Sequence, residues 1–136
     1  MSSSIQIVEA AAGKAFTDFL EVPYIVQGKN PVWVPPLRVQ AKDLFNEQKN
    51  PFYEHAEMKR FVAYLNGKPV GRIAAIKNDA HNTTHNEAAC HWGHLEMIQN
   101  RDVAKALFEA VESSGRAWGM NRLVGPFNPN INEDIG

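Results

Sequence analysis

The apolar positions of the chain fall into short alternating runs and longer helical ones. Ser4 to Glu9 alternates Ile5 and Ile7 with polar neighbours, which predicts a strand. Gly13 to about Val22 places Phe16, Phe19 and Leu20 on one helical face, and Pro23, which lacks an amide hydrogen, is expected to stop that helix. A connector punctuated by Gly28, Pro31, Pro35 and Pro36 follows. Leu37, Ala41, Leu44 and Phe45 then recur at helical offsets and predict a second, short helix. Asn46 to Pro51 is a polar break.

Glu57 to Leu65 and Pro69 to Lys77 are apolar, β-rich runs joined by Asn66-Gly67, two residues that tolerate positive φ as a tight hairpin requires. Asn78 to Ala88 is polar and without period, a loop. Cys90 to Ile98 predicts a further strand. A period of two puts Cys90, Trp92, His94, Glu96 and Ile98 on one face, and His91, Gly93, Leu95 and Met97 on the other. Asn100 is placed to cap the next helix, with Asp102 in its first turn. Val103, Ala104, Leu107, Phe108, Val111, Gly115 and Trp118 then trace one helical face up to Gly119. Arg122 to Gly125 is a last short strand, and the remainder to Gly136 is turn-rich.

The predicted order is β-α-α-β-β-β-α-β. The early strands suit antiparallel pairing. The final β-α-β unit permits a parallel crossover, with ligand space where its two strands part. The expected fold class is therefore mixed α/β (α+β), a mostly antiparallel twisted sheet with one parallel β-α-β unit. No linker divides it, so residues 1–136 form one domain.

Composition narrows the functions. The 136 residues carry 14 Lys and Arg against 15 Asp and Glu, a net charge of −1. No basic excess exists to neutralise a phosphate backbone, which argues against nucleic acid as the main partner. No apolar run reaches the roughly 18 residues of a membrane span, and the first residues are not a secretory signal. Cys90 is the only cysteine, so no internal disulfide forms, and a cytoplasmic location is expected.

Histidines 81, 85, 91 and 94 with Cys90 are zinc-competent in kind, but their spacing is not that of a zinc site, and no metal is expected. Cys90 reads as a small buried hydrophobe rather than a nucleophile. Trp92 and Trp118 read as core. Glu54-His55 reads as a loop anchor rather than an acid–base pair.

Four strings sharpen the assignment: Asn30-Pro31-Val32-Trp33-Val34-Pro35-Pro36-Leu37, Asn50-Pro51-Phe52-Tyr53-Glu54-His55-Ala56, Gly67-Lys68-Pro69-Val70-Gly71-Arg72-Ile73-Ala74-Ala75-Ile76, and Gly125-Pro126-Phe127-Asn128-Pro129-Asn130-Ile131-Asn132-Glu133. With the element order, they resemble a group of bacterial proteins of the GNAT superfamily of N-acetyltransferases. The resemblance runs over nearly the whole chain. It implies a GNAT-like acyl-coenzyme A N-acyltransferase fold, here its N-terminal two-thirds, incomplete at the C-terminus. A truncated gene product or a fragment is expected.

The resemblance also implies a site. Acyl-coenzyme A would lie between the fourth and fifth strands, with Met97 and Ile98 facing the pantetheine arm. Asn100, Arg101, Asp102 and Val103 would face the pyrophosphate, since helix N-terminal amides attract anions. The family's turn at this point carries glycines; Leu95 to Ala106 contains none. Glu96 would be the general base that takes the amine proton, while a fourth-strand amide polarises the thioester carbonyl. Read as structure alone, Glu96 is a solvated strand carboxylate or part of an ion pair.

The implied function is transfer of an acetyl group from acetyl-CoA to a primary amine, degenerate or inactive in a chain lacking the last elements. The alternative is a non-catalytic GNAT-fold domain that binds a ligand or partner. An uncovered last strand also predicts a homo-oligomer formed through the exposed sheet edge.

Overall fold

The computed structural model describes residues 4–28, 31–32, 42, 45, 56–78 and 88–126. Its elements are strand β1 (Ile5–Glu9), helix α1 (Gly13–Gln27), strands β2 (Ala56–Leu65), β3 (Lys68–Asn78) and β4 (Ala89–Met97), helix α2 (Arg101–Ala117), and strand β5 (Arg122–Val124). The sheet order is β1-β2-β3-β4-β5. The first four strands pair antiparallel, and β5 pairs parallel to β4. This is the expected mixed sheet with its parallel β-α-β unit. Apart from Lys42 and Phe45, the predicted helix over Leu37 to Phe45 lies outside the described residues, as do Glu54-His55 and the tail beyond Pro126.

The β2–β3 hairpin turns on Asn66 at φ 52° and Gly67 at φ 83°, the double positive φ that the sequence announced. Along β3 the side chains alternate between two cores. Ala74 and Ile76 face α1, where Phe19, Val22, Met58 and Val62 pack. Ile73 and Ala75 face α2, packing with Val103, Leu107 and Val111. Helix α2 begins as expected: the Asn100 side chain accepts from the amides of Asp102 and Val103 at 2.9 and 3.1 Å. No helix among the described residues is long and apolar enough to cross a membrane.

Helix α1 departs from expectation. It does not stop at Pro23 but continues to Gln27 with Pro23 buried inside it. Proline removes the hydrogen bond that position 23 would give to the carbonyl four residues earlier, that of Phe19. The Arg72 guanidinium supplies the missing donor: its Nη1 reaches the Phe19 oxygen at 3.1 Å. The repair comes from β3, 49 residues further along the chain, so no local pattern could reveal it.

Strand β4 departs too. Arg72 opposes Glu96 and Ala74 opposes Gly93, so the single residue Ile73 faces both His94 and Leu95. This is a β-bulge, with His94 at φ 57°. The extra residue shifts the alternation by one. Cys90 and Trp92 share the α2 side with Leu95 and Met97. His94 packs instead against Phe45 on the α1 side, and Glu96 reaches Gln27 of α1. The expected face holding Cys90, Trp92, His94 and Glu96 together is therefore wrong from His94 onward.

Candidate functional site

Strands β4 and β5 pair at only three positions: Ala89 with Arg122, Cys90 with Leu123, and His91 with Val124. Strand β5 then ends, and the chain passes through Gly125 and a cis peptide to Pro126. Strand β4 runs on for six residues, Trp92 to Met97, with no β5 partner among the described residues. Leu123 pairs with Cys90, and Leu95 lies five residues further along β4. This edge of β4, without a β5 partner among the described residues and leading to the N-terminus of α2, is the candidate slot.

The closed end of the slot is aromatic. The Trp92 indole lies against Gly125, where any Cβ would collide with the ring. It meets Phe108 of α2 edge-on at 5.0 Å between centroids.

The α1 side of the slot is polar. Gln27 donates its side-chain N–H to Glu96 at 3.1 Å. Arg72 sits opposite Glu96 in the register. Its Nε donates to the carbonyl of His94 at 3.0 Å, while its Nη1 holds the Phe19 carbonyl. One guanidinium therefore ties the proline gap of α1 to the bulge of β4. Burial pulls the Arg72 pKa down to about 10, against the opposing pull of Glu96 and Tyr24. The His94 imidazole stacks edge-on against Phe45 at 4.8 Å. Burial, then the charges of Arg72 and Arg60, hold its pKa down to about 3, so it is neutral at pH 7. Its Nε2 is buried and has no hydrogen-bond partner among the described residues.

The structure places the sequence-predicted residues at the end of β4, in the turn that follows and at the start of α2. Glu96 lies on the α1 side. The Met97 side chain turns to the α2 side, and the Ile98 amide is bonded to the Val70 carbonyl at 3.0 Å. Asn100, Arg101, Asp102 and Val103 form the start of α2. The Asn100 side chain holds the Asp102 and Val103 amides, and the Val103 side chain is buried in the core. Arg101 and Asp102 are exposed. Gln27, Arg72 and Gly125 were not among the sequence-predicted site residues. A proline inside an otherwise continuous apolar period was the single local sign of the first two.

Cys90 is buried, and burial raises its thiol pKa, as a structural thiol requires. Among the described residues no three His, Cys, Asp or Glu side chains converge as metal ligands. His81 and His85 lie outside the described residues.

A sheet whose fourth and fifth strands start together and then part, with a long helix between them, defines the class. The chain belongs to the acetyltransferase (GNAT) family, whose model matches residues 24–132. It is 32% identical over 136 residues to the bacterial ceramide synthase of Caulobacter vibrioides, covering 99% of this chain and 35% of that protein. The chain thus spans about a third of that relative's length. Among solved structures, a tandem GNAT protein from the clavulanic acid biosynthesis pathway superposes with a TM-score of 0.65 at 15% identity, over 96% of this chain and 42% of that one. AAC(6')-Iy in complex with a bisubstrate analog, CoA-S-monomethyl-acetylneamine, superposes with a TM-score of 0.57 at 13% identity, over 98% and 86%. At such identities the two structures share the fold with this chain.

Proposed function

We propose that the chain carries the acyl-CoA slot of an N-acyltransferase that moves an acetyl group from acetyl-CoA to a primary amine. The observation that carries this reading is the parting of β4 from β5 after His91. It leaves one edge of β4 open to an extended thiol arm, beside a helix N-terminus. The same fold holds a CoA–amine conjugate in AAC(6')-Iy. One relative is named a bacterial ceramide synthase, and a ceramide is an amide, which supports an amine acceptor.

In this reading Met97 and Ile98 flank the pantetheine arm, and Asn100 to Val103 meet the pyrophosphate. The amine approaches from the α1 side and attacks the thioester carbonyl. A β4 amide at the bulge donates to the carbonyl oxygen, where negative charge develops. The C–N bond forms, Glu96 takes the amine proton, and the C–S bond breaks; the departing thiolate takes a proton from water, and Glu96 returns its own to water, so the amine proton ends as the CoA thiol proton. Gln27 orients the Glu96 carboxylate. Leu123, 40% exposed on the short edge strand, favours self-association there.

A second reading is favoured by one observation. Asn100 already occupies two of the amides a pyrophosphate would use, and no glycine lets the turn approach a phosphate closely. That describes a GNAT-fold domain without catalysis.

Acetyl-CoA titration separates the readings. At 100 times its dissociation constant a ligand adds about 2.7 kcal/mol to stability. Stabilisation together with turnover that Glu96→Gln lowers by about 100-fold or more supports the enzyme. Binding without turnover of any amine supports the second reading. No thermal shift at millimolar acetyl-CoA overturns the slot assignment.

A further inference from the structure

The bulge in β4 puts His94 and Leu95 between the pairs Ala74–Gly93 and Arg72–Glu96, and neither residue has a register partner in β3. The peptide bond that joins them is trans. In a trans peptide the carbonyl of one residue and the N–H of the next lie in one plane and point in opposite directions. The His94 carbonyl is held, since Arg72 Nε donates to it at 3.0 Å. Arg72 belongs to β3, and its Nη1 reaches the Phe19 carbonyl of α1. The Leu95 N–H of the same peptide unit therefore points away from β3 and α1. The far side of β4 from β3 is the β5 side, where Trp92 to Met97 have no partner among the described residues. His94 takes φ 57° at this point, a left-handed backbone that disfavours residues with a Cβ and persists where neighbouring contacts impose it.

We propose that Arg72 is a positioning residue for acyl transfer: by gripping the His94 carbonyl it holds the bulge peptide so that the Leu95 N–H is presented to the thioester carbonyl of acetyl-CoA. The inference deepens the acyl-CoA reading of the slot and rests on it. It selects Leu95 as the β4 amide that polarises the carbonyl, and it names what aims that amide. Arg72 acts through the peptide and not on the thioester. A donor fixed before the reaction stabilises the developing oxyanion without having to reorganise. Without the guanidinium, the His94 carbonyl loses its donor. A rotation of the peptide unit that takes His94 out of the left-handed region then swings the Leu95 N–H off the thioester oxygen. The same guanidinium serves the Phe19 carbonyl, so its effect on the bulge has to be separated from its effect on α1. Pro23→Ala does this, because it gives the Phe19 carbonyl an N–H from within the helix.

Amide NMR of the nitrogen-15-labelled 136-residue chain, saturated with free CoA and separately with acetyl-CoA, tests this. The two ligands differ by the acetyl group, so the difference between the two spectra reports on the thioester carbonyl. In the unaltered protein the Leu95 amide proton should lie further downfield with acetyl-CoA than with CoA, by more than any other amide from Trp92 to Met97. Pro23→Ala should keep that difference. Pro23→Ala with Arg72→Met, which has no donor, should lose it. Pro23→Ala with Arg72→Gln should keep it, because the glutamine amide places N–H donors where Arg72 has Nε; this variant carries the test should the methionine one fail to fold. A difference that survives Arg72→Met, or vanishes in Arg72→Gln, overturns the positioning role while leaving the slot intact. Bound acetyl-CoA with no Leu95 difference in the unaltered protein does the same. No spectral change with either ligand overturns the acyl-CoA reading, and the role of Arg72 with it.

Discussion

Arg72 mends two breaks in the backbone at once, and a double-mutant cycle can separate them. Arg72→Met removes the donors to the Phe19 carbonyl at 3.1 Å and the His94 carbonyl at 3.0 Å. Hydrogen bonds from a charged donor contribute about 1.5–3 kcal/mol each, and leaving a buried carbonyl unsatisfied costs about 1–3 kcal/mol. The single variant should therefore lose roughly 2–4 kcal/mol, within the range of a broken buried network. Phe19 needs Arg72 because Pro23 has no N–H to give. Pro23→Ala restores that N–H within the helix. In the Pro23→Ala background, Arg72→Met should then cost about 1–3 kcal/mol less, because the Phe19 carbonyl keeps a donor. The His94 share of the loss remains in both backgrounds. Urea unfolding of the unaltered protein, both single variants and the double variant gives the coupling directly. Additivity within about 0.5 kcal/mol would show that the Phe19 carbonyl does not depend on Arg72, and the account of how α1 passes through proline would fail.

Three further outcomes are expected. Asn100→Ala should cost about 1 kcal/mol of stability by thermal unfolding, and it should tighten CoA by up to about fivefold by freeing the Asp102 and Val103 amides; an unchanged melting temperature rules out the cap. His94 has a folded pKa of about 3 against an ordinary value near 6.5, so its contribution is present above pH 6.5 and is lost as pH falls toward 3. His94→Asn, which tolerates the left-handed backbone, should flatten the stability loss between pH 6.5 and 4 by a slope of up to about 1.4 kcal/mol per pH unit, and parallel profiles would exclude this. Burial and then the Asp18 carboxylate, 2.5 Å from its hydroxyl, raise Tyr64 to about 12. That contribution is complete below pH 10 and is lost as pH rises through 12, so in Asp18→Asn the Tyr64 titration, read by ultraviolet absorbance against a Tyr64→Phe control, should move down toward 10.

The parts of the fold that depend on neighbouring residues were legible in the chain. Asn66-Gly67 supplied its own hairpin, and Asn100 supplied its own helix cap. The apolar stripe from Val103 to Val111 placed α2 on the sheet. What escaped was set by tertiary partners. Pro23 stops an isolated helix, and only an arginine across the layer lets α1 continue. Histidine is not the residue that announces a bulge, yet His94 adopts the positive φ because Arg72 holds its carbonyl. Glu96 is singled out by the family resemblance alone, and its neighbours Gln27 and Arg72 come from segments far away in sequence. The Gly125 contact with Trp92 is likewise a property of two strands diverging, not of either string alone.

The single additional residue in β4 makes the strand intolerant of length changes. Up to His91 the strand is paired with β5, and its facing would survive an indel further on. Downstream, loss of one residue would exchange the two sides. Glu96 would swing toward Val103 and Leu107, and Met97 toward Gln27, without any change in amino-acid type. Substitution scanning along Leu95 to Met97 should therefore be forgiving compared with a one-codon deletion, which would drive a carboxylate into an oily interior. Variation among natural versions of this strand is accordingly expected in residue identity and not in residue number.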